Sequence, residues 1–116
     1  MGNYKQVIVI NNSLKMKKGK IAAQASHASL DASLKVLNKK AFKEWKKSGQ
    51  PKIILKSDST EEILSLFKIA KSKKFNTAMI TDAGKTQVPP GSKTALAIGP
   101  EIETELDKII SKFKLL

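Results

Sequence analysis

The chain has 116 residues, of which 41% are hydrophobic and 28% charged, and its net charge is +12. That length suits one domain, near the common size of about 100–150 residues, with enough apolar content for a real core. Cysteine is absent and His27 is the only histidine, which excludes disulfides, zinc knuckles, thiol catalysis and a multi-histidine metal site.

The first element is the β-branched apolar run Gln6-Val7-Ile8-Val9-Ile10, which reads as a buried strand. Asn11 to Lys18 reads as a polar loop, followed by a long helix from about Lys20 to Leu37. A second helix, Lys39 to Lys47, is expected to stop at Gly49, a good left-handed cap. Lys52 to Leu55 reads as a second strand behind Pro51. Ser59-Thr60-Glu61-Glu62 is a capping box for a helix to about Lys73, with Ile63, Leu66, Phe67 and Ala70 at helical spacing. Thr77 to Thr81 and Thr94 to Ile98 read as the third and fourth strands, separated by a Pro89-Pro90-Gly91 turn. Gly99-Pro100 is expected to open a last helix, with proline in its first turn, acids Glu101, Glu103 and Glu105 near its positive end, and Lys108, Lys112 and Lys114 near its negative end. Alternating strands and helices predict a single-domain, three-layer α/β sandwich over residues 1–116, with a four-stranded sheet and helices on both faces. No apolar run approaches the ~20 residues of a membrane span, and no secretory leader is visible. A soluble, cytoplasmic protein with no membrane contact is the expectation.

Every one of the 22 basic residues is lysine. Lysine offers a mobile point charge rather than the planar fork that reads a guanine edge, so phosphate-backbone binding with strong salt dependence is expected. The charge is also lopsided. Residues 1–56 hold 13 lysines against Asp31 and Glu44, a balance of +11, whereas residues 57–116 are nearly neutral. A basic half of this kind suits a polyanion, nucleic acid above all; the plain alternative is a solvated lysine surface.

Two short stretches concentrate reactive side chains beside small residues. The first runs Gly19-Lys20-Ile21-Ala22-Ala23-Gln24-Ala25-Ser26-His27-Ala28. On a helical wheel Lys20, Gln24, His27 and Asp31 form one narrow stripe. Ile21, Ala25, Ala28, Ala32 and Val36 flank it on one side, and Ala23, Leu30, Leu34 and Leu37 on the other. A polar stripe with two apolar flanks suits the lining of a crevice. Lys20 stands in a first helical turn, where the dipole disfavours a cation; beside Gly19 and free amides it makes an anion pocket. For His27, pairing with Asp31 at i,i+4 is the structural alternative. The second stretch runs Thr81-Asp82-Ala83-Gly84-Lys85-Thr86-Gln87-Val88-Pro89-Pro90-Gly91-Ser92. It puts a carboxylate at a strand end, where α/β folds build their sites, and adds the hydrogen-bonding groups of Thr86, Gln87, Ser92 and Thr94. A merely turn-forming Asp82 is the competing reading.

These residues resemble the archaeal and eukaryotic type of peptidyl-tRNA hydrolase, the type 2 family. Gly19 to Gln24 with Ser26-His27-Ala28, and Thr81 to Gln87, carry the resemblance. Pro90-Gly91-Ser92, Ala97-Ile98-Gly99-Pro100 and the opening Lys5 to Val9 extend it over about Tyr4 to Phe113. The resemblance implies a mixed four-stranded sheet and metal-free hydrolysis of the ester joining a peptide to the acceptor end of tRNA, with no cofactor. It implies Lys20, Asp82 and Thr86 as catalytic residues, with Gln24, His27, Gly84, Gln87, Ser92 and Thr94 lining the site. Lys17 and Lys18, from the basic half, are expected to hold tRNA phosphates. On this reading Asp82 orients or deprotonates water, Lys20 neutralises developing negative charge, and Thr86 holds the water or the peptide carbonyl. DNA is not an expected partner, and the chain is expected to be a monomer or homodimer. Two other readings stay open: a non-enzymatic basic RNA-binding protein, and an interaction protein whose basic half docks an acidic partner.

Overall fold

A computed structural model describes residues 3–84 and 88–116. The elements in chain order are β1 (Tyr4–Asn11), a 3-10 turn (Asn12–Leu14), α1 (Lys18–Leu34), α2 (Lys40–Lys47), β2 (Lys52–Ser57), α3 (Thr60–Ser72), β3 (Thr77–Thr81), β4 (Lys93–Ile102), α4 (Glu103–Ile110) and β5 (Lys114–Leu115). They form one mixed sheet in the order β3-β4-β1-β2-β5. β1 and β2 are parallel, and the other pairings are antiparallel. No helix among the described residues is long and apolar enough to cross a membrane.

The interior divides along β1 with the period of two that a pleated strand imposes. Val7 and Val9 join one buried cluster with Ile63, Leu66 and Ala70 of α3 and Leu106 and Ile110 of α4. Ile8 and Ile10 join a second, with Ala28 and Ala32 of α1 and Ala95 and Ala97 of β4. The alanines let the backbone of α1 lie close to the sheet. Each large side chain fully withdrawn from water contributes about 1.5–3 kcal/mol. The predicted capping box is half present: the Ser59 hydroxyl accepts the Glu62 N–H at 3.1 Å, but the Glu62 carboxylate accepts the N–H of Asp58.

Two expectations are corrected. The sheet has five strands rather than four. Phe113 is buried against Leu55 in the first cluster, and its N–H closes a turn on the Ile110 carbonyl. That turn ends α4 early and lays Lys114 and Leu115 antiparallel to Lys56 and Leu55. The second correction concerns Gly99-Pro100, which lies inside β4 instead of opening a helix, with a cis peptide bond between the two residues. Gly99 has φ +106°, and a Cβ there would lie 2.7 Å from the Lys5 carbonyl oxygen. This close passage lets β4 run on past the glycine, so that Glu101 and Ile102 pair with Lys5 and Tyr4. The first long helix also starts two residues earlier than read and ends at Leu34, short of Leu37.

β1, β2 and β3 all point the same way, since β4 is antiparallel to both β1 and β3. Their C-terminal ends therefore share one end of the sheet, and α1 begins there.

Candidate active site

Asp82 follows β3 directly, and its backbone is pinned on both sides. Its N–H donates to the Ser92 carbonyl at 2.9 Å and its carbonyl accepts the Gly91 N–H at 2.9 Å. The carboxylate therefore projects from a closed hairpin neck. Its Oδ1 accepts Lys20 Nζ at 2.5 Å and Gln24 Nε2 at 3.3 Å, and its Oδ2 accepts the Gly84 N–H at 2.6 Å. Both charged side chains are shielded, 11% exposed for Lys20 and 7% for Asp82. The Lys20 hydrogen bond, then the Gly84 N–H, hold the Asp82 carboxyl below its ordinary value of 3.8; burial pulls the other way and loses.

Gly84 is required twice over. Its φ is +82°, and a Cβ would lie 2.4 Å from the Pro90 ring. Pro90 thus packs on the glycine whose N–H grips the carboxylate. The place of Pro90 beside Gly84 follows from the closed neck, which no local pattern of the sequence spells out.

Lys20 and Gln24 arrive from α1, one turn apart on the same face. Lys17 precedes the helix in an extended conformation without capping it by a side-chain hydrogen bond. The first intrahelical bond is from Ile21 N–H to the Lys17 carbonyl. The N–H groups of Lys18, Gly19 and Lys20 therefore have no partner within the helix and point toward the end of the sheet that carries Asp82. With exposed Lys17 and Lys18 beside them, they make this corner attractive to an anion. Asp82 is the local counter-charge that makes a lysine acceptable in this first turn.

Among the described residues, the other singled-out side chains make no hydrogen bond to the Asp82 carboxylate. His27 is exposed, one turn beyond Gln24, and makes no ion pair with Asp31. The Ser92 hydroxyl donates to the Pro89 carbonyl within its own turn at 2.7 Å. Thr94 is fully buried, with its hydroxyl 3.4 Å from the Ile80 carbonyl at an irregularity of the β3–β4 ladder. Thr86 and Gln87 lie outside the described residues. Lys93, which the sequence reading did not single out among so many lysines, donates to the Thr81 hydroxyl at 2.9 Å, one residue before Asp82. No group of three or more His, Cys, Asp or Glu residues able to hold a metal occurs among the described residues. A cleft of about 450 Å³ between α1 and α2 is lined by Leu30, Leu34, Leu37, Phe42 and Trp45 and includes neither Lys20 nor Asp82.

Residues 4–116 match the family described as Peptidyl-tRNA hydrolase PTH2. The chain is 47% identical to a peptidyl-tRNA hydrolase of Methanococcus maripaludis over 115 residues, covering 97% of this chain and 99% of that one. It is 42% identical to a peptidyl-tRNA hydrolase of Thermococcus onnurineus over the whole of both chains. Against the human protein named Peptidyl-tRNA hydrolase 2, mitochondrial, it is 41% identical over 98% of this chain and 65% of that one.

Proposed function

The chain belongs to the PTH2 family of peptidyl-tRNA hydrolases and hydrolyses the ester that joins a peptide to tRNA, and we propose that Lys20 and Asp82 carry this reaction as one composite site. The single observation that supports the site is their contact at 2.5 Å across 62 positions of sequence.

Hydrolysis adds water across the acyl ester. The water oxygen bonds to the carbonyl carbon, the bond to the ribose oxygen breaks, and that oxygen leaves with a proton. An ionised carboxylate has about four lone-pair sites. Lys20, Gln24 and Gly84 fill three, which leaves one for a water. The depressed pKa makes Asp82 a weak base, so orienting the water suits it better than fully removing its proton. Lys20 then supplies positive charge where the tetrahedral oxyanion develops, in a shielded place where that charge counts for more. Direct attack by water fits better than a covalent serine or threonine intermediate, because His27 stands exposed without a carboxylate partner.

Gln24 fixes the carboxylate, and Gly84 admits its backbone N–H. Lys17, Lys18 and the open amides of α1 receive phosphates of the acceptor end. Thr86 and Gln87, two and three positions beyond Gly84, are assigned to hold the water or the peptide carbonyl. His27, Ser92 and Thr94 are assigned to the walls rather than to the reacting atoms. The reaction proceeds without a metal on this reading. The same reading makes residues 1–116 one hydrolase domain, with α1 on one face of the sheet and α3 and α4 on the other. It works in the cytoplasm as a monomer or homodimer, on tRNA rather than on DNA or membranes.

The test is single-turnover hydrolysis of N-acetyl-aminoacyl-tRNA at saturating enzyme, with chelator present. Lys20→Ala and Asp82→Ala should each lower the rate by roughly 10²-fold or more while leaving tRNA affinity nearly intact. The double variant should be far less impaired than the product of the two. Near-wild-type rates in the singles would return both residues to structural roles.

A further inference from the structure

β3 is an edge strand, and it runs straight into Asp82. Which of its main-chain groups face outward follows from the ladder. The Asn76 carbonyl accepts the Gly99 N–H at one end, and the Asp82 N–H donates to Ser92 at the other. Even-numbered residues therefore bond toward β4. The register beyond agrees: Gln6 donates to the Pro51 carbonyl on the β2 side, so Val7 and Val9 face β4, and their partners Ile98 and Leu96 face β1. Ala97 and Ala95 are left to bond with Ala78 and Ile80. Thr77, Met79 and Thr81 thus present their N–H and C=O groups to the open edge.

Edges of this kind are commonly blunted by lysine. Here Lys35 Nζ donates to the Thr77 carbonyl at 2.6 Å, closing the end far from Asp82. No hydrogen bond to the main chain of Met79 or Thr81 from outside the sheet occurs among the described residues. Met79 and Ile80 are half-buried and Thr81 is exposed. The open stretch is therefore short and ends at the carboxylate.

We propose that this edge binds the peptide moiety of peptidyl-tRNA as an added strand, parallel to β3, with its ester carbonyl delivered to Asp82. The proposal rests on the hydrolase reading above and deepens it. A parallel strand puts its C-terminus at the Asp82 end, which is where the esterified carbonyl must be. Main-chain pairing also needs no particular side chains, which suits a substrate whose peptide can have any sequence. With Thr77 already capped, Thr81 and Met79 provide the contacts, and at about 3.3 Å per residue they match a peptide of about three or four residues.

The experiment measures kcat/KM for tRNA carrying N-blocked peptides of one to six residues. The expected result is a rise of about fivefold to tenfold up to three or four residues, then a plateau, the worth of one or two net hydrogen bonds. Single N-methylation along a tetrapeptide should cost activity at alternate amides only. Met79→Pro removes an outward N–H at a place where an edge strand tolerates proline, and should flatten the length dependence. Hydrolysis insensitive to peptide length, or methylation losses without alternation, would overturn the edge proposal alone. Failure to hydrolyse even the blocked single amino acid would overturn the hydrolase reading, and the edge proposal with it.

Discussion

Two carboxylates stand at opposite ends of the β3–β4 pair, and the protein treats them in opposite ways. Asp82, after β3, accepts a main-chain N–H from Gly84 and also holds Lys20 and Gln24. Glu101, near the end of β4, accepts the Asn76 N–H at 2.8 Å and has no cation at salt-bridge distance among the described residues. Its cross-strand neighbour Lys5 turns instead to Asp107, at 2.7 Å. The outcome follows from the partners. Asp82 is held below its ordinary pKa mainly by Lys20; Glu101 is pushed above its ordinary 4.5 by burial, which the Asn76 N–H only partly opposes. Asp82 is kept charged in a shielded place, which suits chemistry. Glu101 is a clip at the start of β3 whose charge is a cost.

The contrast breaks most sharply by removing each charge with nearly the same shape. Asp82→Asn should lower single-turnover hydrolysis by roughly 10²-fold, because it removes the charge proposed to position water and leaves Lys20 shielded without its counter-ion. Glu101→Gln should leave that rate within about twofold, since clip and chemistry lie at opposite ends of the strand. Equal losses from both would mean that β3 transmits disorder from either end and that Asp82 has no special role.

Gly84→Ala comes next. It must force φ +82° on a residue with a Cβ and push that carbon against Pro90. We expect about 1–3 kcal/mol of lost stability in urea unfolding. The rate should fall by about tenfold, because displacing the Gly84 N–H frees one carboxylate oxygen. Retained activity would show that the Oδ2 contact is dispensable.

The Lys20–Asp82 pairing was legible through the resemblance: the two stretches that carry it imply one shared site, and a shared site requires Lys20 and Asp82 to meet across 62 positions. Gln24 was legible as the next turn of the same stripe. His27 was not: its position on the stripe suggested the site, but the stripe rises out of the crevice after Gln24 and leaves the imidazole in water. Leu30, Leu34 and Leu37, one apolar flank of that stripe, are 58%, 56% and 46% exposed and line the cleft with α2 instead of the Asp82 site. Gly99-Pro100 failed because proline suits a first helical turn, while the fit of Gly99 against Lys5 depends on a strand more than ninety residues away. β5 failed because two residues carry no period.

Smaller effects concern binding. Replacing Lys17 and Lys18 by alanine should raise KM more than it lowers kcat, and should flatten the salt dependence by about one unit of slope per lost phosphate contact. Lys39 and Lys40 open α2, beyond the far end of α1, so they test whether the basic half tracks the tRNA beyond the site. An unchanged slope in both variants would reduce the +11 of residues 1–56 to a solvated surface.

The smallest effect is the opposing pH dependence of the two carboxylates. A carboxyl with a lowered folded pKa adds stability above its unfolded value, and loses it as pH falls through the folded value. For Asp82 that window lies below about 3.8. A carboxyl with a raised folded pKa does the reverse. The Glu101 contribution is fully present below about 4.5 and is lost as pH rises through the folded value above it. Urea unfolding from pH 3 to 7 should therefore show wild type losing ground to Glu101→Gln as pH rises above 4.5. It should show wild type gaining on Asp82→Asn as pH rises from 3 through 3.8. The Glu101 change is the smaller one, since that side chain is only half-buried and water screens part of its cost. If the two difference curves slope the same way, the partners named here do not set the charges, and the contrast between the ends of β3 fails with them.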